Sequence, residues 1–191
     1  DTKAKGVEVT PMTNIDLMSK SSQVTLTNVF VPEEAVVGEI DGAWPVIEGV
    51  MRKAAVGASA EMLGASRKAM EVSVEYAKVR EQFGQPIGTF QAIKHKLADM
   101  LLEIESSTAA VYYAAWAQDA GASDADLAAS VAKAYVSDAA RKVCGESIQV
   151  HGGIGFTWEY DLHLWFKRAK YYEPMYGDAE YHRERVLQMV A

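Results

Sequence analysis

The chain has 191 residues with 26 acidic and 19 basic side chains, and its formal net charge is −7. Its 49% of hydrophobic and 24% of charged residues are typical of globular proteins and exclude a disordered or collagen-like chain. No block of Lys and Arg offsets the negative charge, which argues against a nucleic-acid partner. No apolar stretch reaches the about 18 residues of a membrane span, and the first residues lack the apolar segment of a signal peptide. We therefore expect a cytoplasmic protein without membrane insertion.

The first part of the chain, residues 1–40, is predicted to form β-strands. Apolar and polar side chains alternate from Val7 onward, and the run 24–31 is rich in β-branched residues. Pro11 and Pro32 are predicted to end these strands, because proline has no N–H to donate to a sheet. Two or three strands are too few to fold alone. We expect either that a partner supplies the rest of the sheet or that this chain is the end of a longer one.

The second part, residues 41–191, shifts to Ala, Met, Glu and Lys and is predicted to be helical throughout. A long first helix is expected from Gly42 to about Val79, since a proline at position 45 is tolerated in a first turn. A second helix is expected to begin after Thr89 as its N-cap and to end at Gly121.

Three further helices follow in the prediction. Ser123 and Asp126 have the spacing of a capping box, which predicts a third helix from there to about Val150. A short aromatic helix is expected to begin near Thr157, and a C-terminal helix is expected after a turn at 175–178. Short connections between helices are typical of an up-and-down bundle. The predicted fold is therefore mainly α, a helical bundle preceded by a few strands of an incomplete β-domain.

The sequence offers little support for metal or nucleophile chemistry. No glutamate is followed three residues later by a histidine, so the signature of a di-iron bundle is missing. The few histidines do not pair at metal-ligand spacing, and no metal site is expected. The single cysteine, Cys144, lies at mid-helix by its pattern and is predicted to be a small buried hydrophobe. No nucleophile elbow of the G-x-S-x-G type occurs.

A glycine-rich break, His151 to Gly155, has two interpretations. Consecutive glycines allow backbone N–H groups to approach the oxygens of a phosphate or ribose closely. The same residues also suit the C-terminal cap of a helix, where glycine adopts a left-handed conformation. The break follows a predicted helix and not a strand, so it is not the dinucleotide fingerprint.

Three segments together resemble one protein family. They are Arg80 to Gln91, with its Arg-Glu-Gln-Phe-Gly-Gln-Pro-Ile start, then Gln149 to Phe156, and then Phe166 to Lys170. In combination they resemble the C-terminal helical domain of the acyl-CoA dehydrogenase family. Upstream, the run Asn28 to Pro32 resembles the end of the middle β-domain of that family. The resemblance implies a domain boundary near residue 40, with an N-terminal helical domain and most of the β-domain outside this chain.

The resemblance implies that this chain contributes to an FAD site across a subunit interface. In the family, residues at the positions of Arg80, Phe83 and Gln91 contact the cofactor of a neighbouring subunit. The segment that matches Gln149, Gly152 and Gly153 holds the adenosine end. The residue chemistry agrees, since a guanidinium binds pyrophosphate in a bidentate manner and an aromatic ring covers an adenine or ribose face. The alternative is an ordinary surface loop beside a helix cap.

The resemblance breaks down at the catalytic base. Family members remove the α-proton of an acyl-CoA with a carboxylate while the flavin accepts the β-hydride. Ungapped alignment puts Tyr176 at the usual glutamate position, and a phenol with a pKa near about 10 is a poor substitute. The less common position of the base, on the first helix, falls on Ala54, which takes no proton. Glu173 is a weak substitute that only a shifted loop would present.

Two further positions depart from the family. A threonine and a glutamine that bind FAD in the family align here with Asp178 and Glu180. Carboxylates beside a pyrophosphate are repulsive unless they are protonated or paired. For Asp178 the alternative is a helix N-cap. We therefore expect this chain's own catalytic site to be incomplete.

Three hypotheses follow from these matches and departures. In the first, the chain is a partner subunit of an FAD-dependent acyl-CoA dehydrogenase, in a heteromeric dimer or tetramer whose sister chain supplies the base. In the second, it is a flavin-free structural or regulatory scaffold of the same family. In the third, Glu173 makes it a self-sufficient dehydrogenase. The resemblance also implies an electron-transfer flavoprotein as a partner, and the acyl group of the acyl-CoA is unspecified.

Overall fold

The computed structural model describes residues 1–191, and its architecture confirms the predicted, mainly α fold. Five α-helices follow a β-hairpin. They are α1 (Trp44–Val79), α2 (Gln91–Ala120), α3 (Ala125–His151), α4 (Leu162–Tyr172) and α5 (Ala179–Val190). A search of these helices finds none that has both the length and the apolar character to cross a membrane.

The first three helices run up, down and up. Near their starts, α1 and α3 are joined by an ion pair of 2.7 Å between Arg52 and Asp126. Near their ends, Tyr76 of α1 stacks on His151 of α3 with ring centroids 4.1 Å apart. The two helices are therefore parallel. The antiparallel α2 connects the end of α1 to the start of α3.

The fourth position of the bundle is shared by α4 and α5, which both run opposite to α3. Along α4, a Cβ atom placed on Gly145 would lie 3.9 Å from the Phe166 ring, and Glu173 at the end of the helix pairs with Arg141 at 3.1 Å. Along α5, the Arg185 guanidinium lies 3.1 Å from Glu48 near the start of α1. The fourth stem is thus broken between Tyr172 and Ala179.

Small side chains let these helices pack closely. Ala69 on α1 and Ala132 on α3 are fully buried. Buried serines on α1 donate their hydroxyl groups to carbonyls one turn earlier, for example Ser59 to Ala55 at 2.8 Å. These bonds satisfy the hydroxyls inside the helix, so the serines add no unpaired polar group to the core.

The larger core side chains meet between α1, α2 and α3. Met62 and Met100 are 0% and 1% exposed, and Cys144 beside them is 1% exposed. Burial raises the pKa of the Cys144 thiol to about 12. The prediction that this cysteine is a buried hydrophobe is confirmed.

The helix ends differ in part from the predictions. The left-handed Gly121, at φ 62°, ends α2 as expected. The two predicted N-caps are wrong. The Thr89 hydroxyl donates to the carbonyl of Pro86 at 2.6 Å, and Phe90 stands at the start of α2 without a side-chain cap. At α3 the N-cap position is Asp124, which makes no side-chain capping bond, and the Asp126 carboxylate forms the ion pair with α1 instead.

The predicted start of α4 near Thr157 is also wrong, because the helix begins at Leu162. Residues Gly152–Phe156 form a 3₁₀ turn instead, and the Thr157 hydroxyl donates back to Ile154 at 2.8 Å. The turn needs glycine at 155, where a Cβ atom would lie 2.8 Å from the carbonyl oxygen of Ile148. The helix begins five residues later than predicted.

The N-terminal strands form a hairpin. β1 (Val7–Met12) pairs antiparallel with β2 (Ser21–Leu26), and Val9 faces Val24 across it. Two details of the prediction are wrong. Pro11 lies inside β1, which is tolerated because each strand of a two-stranded sheet has an unpaired side. The second strand ends at Leu26 and not at residue 31, because Asn28 at φ 50° leaves the extended conformation.

The hairpin is attached to α4 and otherwise exposed. Asp16 is 2% exposed and accepts from the Arg168 guanidinium at 3.1 Å, and the hydroxyls of Ser21 and Tyr171 lie 2.8 Å apart. The apolar side chains on the hairpin remain open to solvent, with Leu26 67% exposed.

Candidate functional site

The predicted flavin-contacting residues come from the ends of three helices. Because α1 and α3 run up and α2 runs down, the end of α1, the start of α2 and the end of α3 lie at the same end of the bundle. Arg80, Gln91 and Gln149 occupy these three positions, and all three are exposed. We call this end, with the loops at 80–91 and 149–153, the open end.

A short hairpin at the open end presents Phe83. Its strands are β3 (Glu81–Gln82) and β4 (Gln85–Pro86), joined by only two residues. These two, Phe83 and Gly84, have φ of 54° and 79°, as a type I′ turn requires. A bulky residue at positive φ is uncommon and is found where a side chain has to point in a set direction. The Phe83 ring is 93% exposed and touches only Phe90 edge-on, with centroids 6.1 Å apart.

The backbone of Arg80 is fixed while its side chain is free. Its N–H donates to Tyr76 and its carbonyl accepts from Ile87, both at 2.8 Å. The guanidinium is exposed and takes part in no ion pair or hydrogen bond within the chain. An unpaired guanidinium on a fixed backbone is well suited to bind an anion from outside the chain.

The geometry of the glycine-rich break is compatible with both interpretations, a helix cap and a backbone that a ligand can approach. Gly152 has φ 66° and caps α3, with its N–H donating to Gln149 and Ile148. A Cβ atom at Gly152 or Gly153 would meet no atom within 4 Å, so the backbone is open to a ligand on that side. The cap is therefore present, and the open backbone next to it is available.

His151 adds a polar atom that sequence reasoning missed. Its Nδ1 lies 2.8 Å from the Ser147 carbonyl and donates to it, since a carbonyl only accepts. Burial lowers the pKa of this imidazole and outweighs the hydrogen bond to Ser147. Its Nε2 is buried without a hydrogen-bond partner. The signal in the sequence was the position of the ring, two residues after Gln149.

Tyr176, which the resemblance aligns with the usual catalytic glutamate, lies in the loop that breaks the fourth stem. We call residues 173–178 the stem-break loop. Tyr176, with φ 60°, is half-buried in it, and Gly177 follows with φ 99°. A Cβ atom at Gly177 would lie 2.3 Å from the Tyr181 ring, so only glycine fits there. The loop thus holds a bulky side chain in the left-handed region, as the hairpin tip does.

The structure places the two other residues that were considered for the catalytic base. Ala54 is half-buried on α1. The Glu173 carboxylate is 16% exposed and lies between two cations, Arg141 at 3.1 Å and Lys170. Each of its oxygens therefore accepts from one of these two cations.

The two acidic residues at the family's flavin positions differ in role. Asp178 is the N-cap of α5, with its Oδ1 accepting from the Tyr181 N–H at 2.8 Å, as expected for a capping residue. Glu180 is exposed and makes no ion pair. Neither side chain offers the positive charge that would favour a pyrophosphate beside it.

Sequence reasoning also missed Lys133, which is fully buried on α3. Its Nζ donates to Ser137 at 3.0 Å, to the Glu173 carbonyl at 2.8 Å and to the Gly177 carbonyl at 2.9 Å. Burial lowers its pKa to about 8, although the carboxylates of Asp178 and Glu173 oppose the shift. The available signal was a lysine in a stretch of α3 made mostly of small residues.

The open end and the stem-break loop are far apart within the chain. The loop contacts Lys133, whereas the open end includes Gln149, which lies sixteen residues further along α3. At about 1.5 Å per residue this separation is about 24 Å. No group of three or more His, Cys, Asp or Glu side chains comes together at either place to hold a metal ion.

Known proteins share this fold and these segments. The family model "Acyl-CoA dehydrogenase, C-terminal domain" matches residues 41–191. The acyl-CoA dehydrogenase IpdE2 of Mycolicibacterium smegmatis is 40% identical over 122 residues, which are 64% of this chain and 37% of that protein.

Two solved structures extend the likeness to the hairpin. Butyryl-CoA dehydrogenase of Megasphaera elsdenii superposes with a TM-score of 0.93 at 30% identity, over 100% of this chain and 50% of that one. The steroid ACAD Tcur3481-Tcur3483, in its G363A variant, gives 0.83 at 29% identity over 100% and 50%. The chain spans about half the length of these structures. By its sequence and its fold, the chain belongs to the acyl-CoA dehydrogenase family.

Proposed function

We propose that the chain is a partner subunit of an FAD-dependent acyl-CoA dehydrogenase, in which it completes the flavin site of a neighbouring subunit. The neighbour supplies the catalytic carboxylate and carries out α,β-dehydrogenation of an acyl-CoA thioester. This chain contributes a set of residues at its open end to that site, namely Arg80, Phe83, Gln91, Gln149, Gly152 and Gly153.

The observation that carries the proposal is the separation of the two regions. The open end lies about 24 Å from Lys133 and the stem-break loop, counted along α3 at about 1.5 Å per residue. One flavin ring system and its acyl-CoA do not use both regions of the same chain at once. A shared site between subunits is consistent with this distance, with the free Arg80 side chain and with the exposed Phe83 ring.

The residues at the open end fit the phosphate and adenosine portions of FAD. Arg80 offers paired donors for a pyrophosphate, and Phe83 offers an exposed ring. The open backbone at Gly152 and the orphaned Nε2 of His151 supply further polar groups beside Gln149. When bound, FAD supplies the acceptor for the β-hydride.

The residues near the stem-break loop do not fit a second working site. Tyr176 has no carboxylate, and Glu173 is held by Arg141 and Lys170. Asp178 and Glu180 bring negative charge to the positions that bind FAD in the family. We therefore assign no catalytic step to this loop and propose a heteromer in which a sister chain holds the base.

The proposal also covers the remainder of the assembly. Residues 1–40 belong to a middle β-domain, and residues 41–191 form the helical domain. The exposed apolar side chains of the hairpin, such as Leu26, are covered in the full assembly. The complex is a dimer or a dimer of dimers with closed symmetry. Electrons from the reduced flavin pass to an electron-transfer flavoprotein.

The first test is to purify the natural complex, record its flavin absorbance and weigh each subunit by mass spectrometry. We expect two kinds of chain and one flavin for each unlike pair. A complex of this chain alone with one flavin per subunit would overturn the partner role and favour Glu173 as the base.

A matched pair of variants tests the contribution of the open end. Arg80→Ala removes a charge-assisted contact and should weaken flavin retention about 10- to 100-fold. Lys78→Ala removes a cation two residues earlier, which pairs only with Glu75 in its own helix. It should leave flavin retention unchanged. Equal flavin content in both variants and in the natural protein would contradict the proposed role of Arg80.

The flavin-free scaffold is the second candidate. The negative charge of Asp178 and Glu180 favours it, because these carboxylates stand at positions that bind FAD in the family. A purified complex that has no flavin absorbance, and takes up none from added FAD, would establish this second candidate.

A further inference from the structure

The stem-break loop is held by two buried side chains that have no place in the flavin proposal. Lys133 on α3 is 0% exposed, and His182 on α5 is 5% exposed. Both point their donors at backbone carbonyls of the loop. A buried lysine is rare unless its charge is satisfied, so its partners indicate what it does.

The contacts are distributed along the whole loop. Lys133 Nζ donates to the first carbonyl, that of Glu173, at 2.8 Å and to that of Gly177 at 2.9 Å. His182 Nε2 donates to the carbonyl between them, that of Tyr176, at 3.0 Å. Three carbonyls of a loop that would otherwise leave them unpaired are therefore bound from inside the bundle.

The residue between these contacts has a costly conformation. Tyr176 lies at φ 60°, in the left-handed region, which is disfavoured for a bulky side chain. Such a conformation persists only where its surroundings impose it. The carbonyl of Tyr176 itself and that of Gly177 are both bound, so the surroundings here are the two buried side chains.

We propose that Lys133 and His182 act together as positioning residues that fix residue 176 at the apex of the stem-break loop. By binding backbone carbonyls, they set the direction of the side chain at the position that the resemblance aligns with the family's acid–base residue. The arrangement serves any residue at 176, which explains how the loop keeps its shape with a tyrosine in place of a carboxylate. The inference concerns contacts inside this chain and does not depend on the proposed flavin role.

Ser137 allows the arrangement to survive loss of a proton from Lys133. As an ammonium, Nζ has three donors for its three partners. As a neutral amine, it keeps two donors for the two carbonyls and gains a lone pair, to which the Ser137 hydroxyl can donate. The titratable groups that face Nζ are Glu173 at the end of α4 and, at the start of α5, Asp178 and His182. The loop should therefore stay closed as pH rises through 8.

Amide hydrogen exchange in the natural complex tests the proposal. Lys133→Met should speed exchange at residues 173–182 by at least about 100-fold, corrected for intrinsic rates, because buried carbonyls lose their donors. Val111→Ala, a core deletion on α2, is the matched control and should change exchange by a similar factor throughout. Uniform faster exchange in Lys133→Met would overturn the proposal.

A second pair keeps the test decisive if Lys133→Met does not assemble. His182→Leu removes the donor to Tyr176, and we expect about 10-fold faster exchange in the loop. His182→Gln keeps an N–H donor of similar reach and should restore most of the protection. Equal exchange in the Leu and Gln variants would mean that His182 only fills space.

The role of Ser137 is tested by the pH profile. In the natural protein, loop protection should hold or rise from pH 7 to pH 9, because the neutral amine keeps both carbonyls and an exposed Lys133 binds more protons than the buried one. In Ser137→Ala the profile should differ, because the ammonium then lacks its third acceptor. A natural loop that opens as pH passes 8 would overturn the role of Ser137.

Discussion

The open end and the stem-break loop share one backbone feature and differ in how it is supported. Phe83 and Tyr176 both have positive φ, at 54° and 60°. Phe83 is held by a two-residue hairpin and a single ring contact, with 93% of its surface exposed. Tyr176 is half-buried, and buried donors bind its carbonyl and that of the next residue. The open end is therefore shaped for a contact from outside the chain, and the loop is shaped to hold a position from within.

The two regions differ in whether their polar side chains have partners within the chain. At the open end, an unpaired arginine and an exposed ring have no structural use of their own. At the loop, the polar groups bind each other: Lys133 and His182 bind its carbonyls, and Glu173 is paired with Arg141 and Lys170. Under the two proposals, the chain has a binding surface at one end and a positioning frame about 24 Å away along α3, at about 1.5 Å per residue.

The largest expected effect comes from a substitution that loosens both regions together. Met62 is 0% exposed in the core between them, and Met62→Ala should lower the free energy of unfolding by about 4 kcal/mol through the cavity it leaves. Urea denaturation measures this, with Met51→Ala, an exposed methionine on the same helix, as the control. If only one of the two regions lost protection from hydrogen exchange in Met62→Ala, the idea of a shared core would be contradicted.

The next effect is a pH dependence of stability that comes from Lys133 at the stem-break loop. The folded pKa of Lys133 is lowered to about 8, whereas the unfolded value is near 10.5, so the unfolded chain binds more protons between these values. The stability of the natural protein relative to Lys133→Met should therefore rise with pH from 8 to 10.5, by up to about 3 kcal/mol. Urea denaturation at each pH measures the difference. If the difference in unfolding free energy did not change with pH, Lys133 would not be desolvated.

A smaller effect concerns the strain at the hairpin tip. Phe83→Gly removes the side chain at positive φ and should be about 1 kcal/mol more stable than Phe83→Ala. Both variants lose the ring, so both should retain flavin equally poorly. If the alanine variant were as stable as the glycine variant, the turn would not impose its conformation on residue 83.

The smallest effect isolates the charge at the open end. Lys78 and Glu75 are an exposed pair at 2.6 Å, and Lys78→Ala should change the unfolding free energy by less than about 0.5 kcal/mol. Arg80→Ala should be equally mild, because the guanidinium has no partner in the chain. A large stability loss in Arg80→Ala would show that its role is structural.

The long helices could be predicted from the sequence because their apolar patterns extend over many residues. The helices of α1, α2 and α3 repeat their apolar positions over many turns, and glycine marks the end of α2. The family resemblance rested on three short segments: the loop that begins at Arg80, the end of α3 with the turn after it, and part of α4. These predictions succeeded because each of them used several residues in sequence.

Single polar residues were less predictable, because their partners lie far away in the chain. Asp126 has the spacing of a cap, but it pairs with Arg52, 74 residues earlier. Lys133 binds carbonyls 40 and 44 residues later, and no local pattern encodes those distances. The position of Asp178 as an N-cap was predicted correctly, since the bond it makes is only three residues long.

The buried Cys144 makes the core of this protein observable by chemistry. A thiol whose pKa is raised to about 12, and which is 1% exposed, does not react with a disulfide reagent at neutral pH while the bundle is closed. Because the chain has one cysteine, the rate of labelling counts openings at a single known place on α3. In the purified protein, thiol labelling therefore measures how often the helices around Cys144 open, without any engineered label.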